Sequence, residues 1–146
     1  MKKGLIGAVI AAVVLMVLFP ACGPSEVKIV ELTKSSAPSS VSASCTSRIL
    51  TLKWEAADNA TKYYIVGQQK DVKDIIWTDS IDPSDAFSTS SGLTKSGNVY
   101  TYIYNLQSYD ISSAGSYRFG INARSYNGMQ ESDIVWSDYV TVAAAP

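Results

Sequence analysis

Tyr117-Arg118-Phe119-Gly120-Ile121-Asn122-Ala123-Arg124 is the stretch on which the fold turns. Tyr, Phe, Ile and Ala alternate with Arg, Gly, Asn and Arg, the period of two that gives a β-strand one apolar face. The same alternation recurs upstream. Leu50, Leu52 and Trp54 alternate with Thr51 and Lys53, and Tyr63, Ile65 and Gly67 alternate with Tyr64, Val66 and Gln68. Val41-Ser42-Ala43, Val99 to Asn105 and Ile134 to Val142 read as further strands. Asp58-Asn59 and Asn127-Gly128 supply turn residues, the second a strong hairpin signal. Short strands separated by turn residues predict an all-β antiparallel sandwich, and 146 residues leave room for one such domain.

The connection from Lys70 to Asn98 is long. Within it Ile75-Ile76-Trp77 predicts a short edge strand, and Asp82-Pro83-Ser84-Asp85-Ala86-Phe87 predicts one helical turn. Asp82 caps that turn and Pro83 occupies its first position, where a missing N–H costs nothing. Long ordered segments in a compact domain are often functional.

Taken in order, several motifs resemble the fibronectin type III family from Pro38 to Val142. They are Pro38-Ser39-Ser40-Val41 at the opening, Trp54 ending the second strand, and Ala60-Thr61-Lys62-Tyr63-Tyr64-Ile65 in the third. Leu106 before a turn, Tyr117 opening a later strand, Asn127-Gly128 and Ile134-Val135-Trp136-Ser137-Asp138 complete the set. The resemblance implies a fibronectin type III-like (immunoglobulin-like) β-sandwich. In it Trp54 and Tyr117 fill the core, and the Tyr117 hydroxyl ties back to the preceding backbone.

The N-terminus has another character. Met1-Lys2-Lys3 is followed by the uncharged apolar stretch Gly4 to Phe19 and by Leu18-Phe19-Pro20-Ala21-Cys22, the layout of a secretory signal peptide. An ordinary cleavage site wants a small residue where Phe19 stands, and an uncleaved span is weakened by Pro20 and several small residues. Leu18 to Cys22 resembles a relaxed lipobox, which implies lipid on the Cys22 thiol and cleavage before it. Acyl chains then anchor the protein to a membrane, each buried methylene adding about 0.8 kcal/mol. The expected organisation is a lipoprotein signal peptide over 1–21, a tether over 22–37 and the sandwich over 38–146. The expected location is the cell envelope, at the outer membrane or cell surface. In the tether, the alternation Val27 to Leu32 is able to donate an extra edge strand. With Cys22 lipidated, Cys45 remains alone as a small apolar filler; without lipid, the two are available to a disulfide.

Composition narrows the chemistry. The chain has no histidine, which excludes a Ser-His-Asp triad, a Cys-His pair and a histidine-bearing zinc site. Lys and Arg are scattered singly, so nothing matches a row of phosphates, and no nucleic-acid partner is expected. Asp79, Asp82 and Asp85 recur every third residue but lack the glycine and terminal glutamate of a calcium loop. Glu131, Asp133 and Asp138 read as solvated loop charges rather than a carboxylate pair across a cleft. Asn59 in Asn59-Ala60-Thr61 reads as a turn residue. No cofactor, metal or catalytic residue is expected.

What remains is binding, through a protein or glycan contact whose identity the sequence does not name; the alternative is a structural spacer or subunit of an envelope assembly. Outward aromatics are the candidates. Tyr100, Tyr102 and Tyr104 share one face of their strand, but periodicity leaves the parity open, because Val99, Thr101 and Ile103 are also buriable. The resemblance implies that Ile103 faces inward. The three tyrosines would then face out beside Thr51 and Lys53, a contact ladder joined by Trp77 when no loop covers it, or plain cross-strand packing beneath the 70–98 segment when one does.

Overall fold

The computed structural model describes residues 35–88, 90–125 and 130–146. The expected signal peptide and tether, with Cys22, and the expected hairpin residues Asn127-Gly128 lie outside these. Among the described residues ten strands form, and every pair is antiparallel. A four-stranded sheet has the order β1 (Ser39–Thr46), β2 (Ile49–Glu55), β6 (Val99–Asn105), β5 (Leu93–Ser96). A six-stranded sheet runs β10 (Val140–Val142), β7 (Gly115–Ser125), β3 (Lys62–Gln69), β4 (Ile75–Ile81). The short strands β8 (Gln130–Glu131) and β9 (Val135–Trp136) also pair with β7.

The core lies between the sheets and consists of the residues that the alternation marked. Leu50, Leu52 and Trp54 of β2 face Tyr63 and Ile65 of β3 and Tyr117, Phe119, Ile121 and Ala123 of β7, all buried. Trp54 packs edge-on against Tyr63 at 5.3 Å between ring centroids. The Tyr117 hydroxyl donates to the Ser113 carbonyl at 2.8 Å, the corner that the resemblance implies. With this strand order and this corner, the chain is a fibronectin type III-like antiparallel β-sandwich.

Turn chemistry fixes the register. Ser47 and Arg48 join β1 to β2 with φ of 49° and 66°, the left-handed pair that a two-residue hairpin demands. Side chains resist that geometry by about 1–2 kcal/mol each. Arg48 offsets the strain because its buried guanidinium donates to the carbonyls of Leu106, Gln107, Ile111 and Ala143 at 2.6–2.9 Å. Gly97, with φ of 57°, opens the β5–β6 hairpin, and Asn59 adopts φ of 59° before β3.

The 70–98 connection holds two edge strands rather than one. The expected Ile75-Ile76-Trp77 strand extends to Ile81, and Leu93–Ser96 pairs with β6 as β5. Between them a 3-10 helix covers Pro83–Phe87, with the Asp82 carboxylate accepting from the Ser84 N–H at 2.9 Å. These hydrogen bonds, the Ser84 hydroxyl's first, hold the Asp82 pKa below its usual value. The last strand, expected as one run from Ile134 to Val142, is two, β9 and β10, with β8 a separate piece before them. At each break a serine interrupts the ladder. The Ser132 and Ser137 Oγ atoms accept from the Ala123 and Phe119 N–H groups at 2.9 and 3.1 Å. Upstream, Ser36 is already joined to the sandwich, its hydroxyl accepting from the Asp58 N–H at 2.8 Å.

The parity of β6 is the reverse of the expectation. Tyr100, Tyr102 and Tyr104 stand opposite Trp54, Leu52 and Leu50 of β2, so they share the inner face. Tyr100 and Tyr102 are 5% exposed, whereas Ile103 is 51% exposed. Leu106 is buried and continues the even-numbered inward set, which leaves Ile103, inward by the resemblance, on the outer face. Trp77 is also buried, packed on Tyr104 at 5.4 Å and on Phe119 at 5.9 Å between centroids.

Candidate functional site

Of the four aromatics expected to form a contact surface, Tyr100, Tyr102 and Trp77 therefore lie in the interior, and Tyr104 is half-buried against the same core. Trp77 and Tyr104 make a tilted ring contact across the two sheets, and the Tyr102 hydroxyl donates to the Asp79 carboxylate of β4 at 2.6 Å. Burial, then the adjacent Asp79 carboxylate, raises the Tyr102 pKa well above the ordinary phenol value. Burial and then the Asp110 carboxylate push Tyr104 up to about 12. These groups stay protonated at neutral pH and bind the sheets to each other.

Asp79 is thereby spoken for as an acceptor, and Asp82 as a helix cap. Among the described residues no three metal-ligating side chains converge. Cys45 is a free, half-buried cysteine on the edge strand β1, its thiol pKa raised chiefly by burial.

The outward aromatics are elsewhere, on the outer face of the six-stranded sheet. There Tyr64 and Gln68 of β3 adjoin Arg118, Gly120 and Arg124 of β7, and Trp136 and Tyr139 complete the row. Gly120 makes this face possible. A Cβ there would stand 2.5 Å from Ile134 Cγ2 and 2.8 Å from Trp136 Cε3, so the missing side chain lets both residues lie against β7. Tyr139 is 45% exposed and Ile134 39%.

Two arginines stack on this surface in different ways. The Arg124 guanidinium sits 3.7 Å from the centroid of the Tyr64 ring and pairs with Glu131 at 2.9 Å. The Arg118 guanidinium sits 4.4 Å from the Trp136 centroid and 5.7 Å from that of Tyr139. It has no ion-pair partner among the described residues. Instead its Nε and Nη2 donate to the Gln68 Oε1 at 2.9 and 2.6 Å. Gln68 Nε2 in turn donates to the Lys73 carbonyl at 2.7 Å, which fixes the amide with its oxygen toward Arg118. Asn122, 8% exposed on the same face, has its Oδ1 unpartnered among the described residues.

Reading for the apolar set of Tyr117–Arg124 passed over the other half of the same alternation. Arg118, Gly120, Asn122 and Arg124 were legible as one face, and a glycine in mid-strand is a signal of close approach. The contribution of Trp136 and Tyr139 was not legible, because it depends on how the broken last strand lies on β7.

A concavity of about 440 Å³ opens at one end of the sandwich between Ser47, Asn105, Gln107, Ser108 and Ala143. Arg48 borders it, but its guanidinium is engaged by the carbonyls of Leu106, Gln107, Ile111 and Ala143.

No family model and no curated protein matches the chain. Solved structures do. FN3tt aligns over 75% of this chain and 97% of its own, at 16% identity and a TM-score of 0.47. A Fn3-like protein from Clostridium thermocellum aligns over 78% and 97%, at 17% identity and a TM-score of 0.42. Chitinase ChiW from Paenibacillus sp. str. FPU-7, a cell-surface-expressed multi-modular enzyme, aligns over 75% of this chain at 18% identity and a TM-score of 0.47. The chain spans only 8% of that enzyme.

Proposed function

We propose that the chain is a lipid-anchored, non-catalytic binding module of the cell envelope, held by Cys22 and recognising its partner with the outer face of the six-stranded sheet. The observation that carries the reading is that face: exposed Tyr139 and Ile134, half-buried Trp136 and Tyr64, and two arginines fixed by stacking. Rigid aromatic and arginine side chains are the groups that dominate protein recognition, because they bring large contact area and directed hydrogen bonds at small entropic cost. The Gly120 position gives the face its shape, since any larger residue would lift Ile134 and Trp136 off the sheet.

The test is partner capture from envelope and host-surface extracts by the detergent-solubilised lipoprotein, comparing wild type with the double variant Ile134→Ser/Tyr139→Ala. Both side chains are exposed, so the melt moves little while capture falls. Equal capture by the two proteins removes the face from recognition.

The structural-spacer reading draws on one observation of its own: Tyr100 and Tyr102 of β6 are covered by the opposite sheet. It predicts that wild type captures nothing specific in the same experiment.

A further inference from the structure

Resting on that reading of the face, the geometry points to Arg118 as a carboxylate-binding site whose ligand is an acidic peptide. A guanidinium has two edges on which a carboxylate docks. Gln68 Oε1 occupies one of them, taking Nε and Nη2 at 2.9 and 2.6 Å. The edge formed by Nη1 and the second Nη2 hydrogen has no partner among the described residues. Nη1 is not closed off by the surrounding side chains and reaches solvent. The contrast with Arg124 is direct, since that cation is already neutralised by Glu131 at 2.9 Å.

Preorganisation is what distinguishes this arginine from an ordinary surface cation. Its orientation is set from two directions, by the Gln68 amide and by the Trp136 and Tyr139 rings, at 4.4 and 5.7 Å from their centroids. Side-chain ordering, the main cost of forming a surface ion pair, is therefore already met in the free protein. Gln68, being neutral, positions the guanidinium without cancelling its charge.

The surroundings favour a peptide over a sugar. A sugar ring stacks on an open aromatic face, but Arg118 already lies over Trp136 and Tyr139, and Arg124 over Tyr64. Beside them on the same face, Ile134 and Val66 are aliphatic and suit aliphatic side chains flanking an acidic one.

The experiment titrates the full-length anchored protein in detergent with a short oligo-glutamate peptide, using oligo-glutamine and oligo-glucuronate as comparisons and intrinsic tryptophan fluorescence as readout. Trp54 and Trp77 are buried, so Trp136 is the responsive ring. Oligo-glutamate is expected to bind saturably and in preference to both comparisons. Arg118→Gln should weaken it at least about tenfold, the weight of one charge-assisted pair. Gln68→Glu should do the same by another route, placing a carboxylate of the chain itself on Arg118. Because that variant keeps the cation and its rings, it decides the matter when Arg118→Gln folds poorly. Binding unchanged in Gln68→Glu, no saturation in wild type, or preference for oligo-glucuronate each overturns the assignment. Partner capture that still depends on Ile134 and Tyr139 would then leave the face standing and the carboxylate site refuted.

Discussion

Replacing Arg48 by alanine removes four hydrogen bonds from one side chain, and the structure sets what that should cost. Two acceptors, the carbonyls of Gln107 and Ala143, border the open cleft at the end of the sandwich, where water replaces the guanidinium. The bonds to Leu106 and Ile111 are buried. A buried carbonyl left without a partner costs about 1–3 kcal/mol, so Arg48→Ala should destabilise by about 4 kcal/mol. Arg48→Gly loses the same bonds but also relieves the left-handed strain at φ of 66°. Part of that relief is offset by the greater freedom of glycine in the unfolded chain. Glycine should therefore be the milder substitution by about 0.5–1 kcal/mol, against the usual order in β structure. Denaturant melts read both values, with an unchanged m showing that the transition is the same. A loss under about 1 kcal/mol for alanine, or glycine clearly worse than alanine, would refute the view that this cation ties the hairpin to the C-terminal strand.

Trp54→Ala should cost about 3–5 kcal/mol in the same melts, because the ring fills a fully buried site. Stability should fall as pH rises from the ordinary phenol value near ~10. Tyr63, Tyr102 and Tyr104 all have raised pKa values, so the native chain keeps protons that the unfolded chain releases. The Tyr104 share of that loss continues to about pH 12, and Tyr102→Phe should make the alkaline decline shallower in a pH series of melts. Cys22→Ser should abolish lipidation, read by mass spectrometry of the detergent-phase protein; an unmodified Cys22 in wild type would contradict the anchor.

Much of the sandwich was legible because burial and side-chain period coincide in β2, β3 and β7. Trp54, Tyr63 and Phe119 are inward for the reason the pattern gives. The failure at β6 is instructive. Its strand is apolar or aromatic at nearly every position, so period two alone cannot choose a face, and only pairing with β2 places Tyr100 opposite Trp54. β5 was missed because Leu93-Thr94-Lys95-Ser96 has one buried residue and three exposed ones, too little pattern to separate it from a loop. The outer face escaped for a different reason. It is assembled from β3, β7 and short strands separated at Ser132 and Ser137, and those breaks are made by hydroxyls replacing ladder bonds, which no local periodicity reports.

The central claim is that recognition uses the outer face of the six-stranded sheet. Its most direct test is site-specific photo-crosslinking in intact cells, with the crosslinking residue placed either at Tyr139 or at Ile103. Both positions are exposed, at 45% and 51%, and they lie on opposite outer surfaces of the sandwich. The account predicts a discrete adduct from position 139 and none from position 103; an adduct from 103 alone would contradict it.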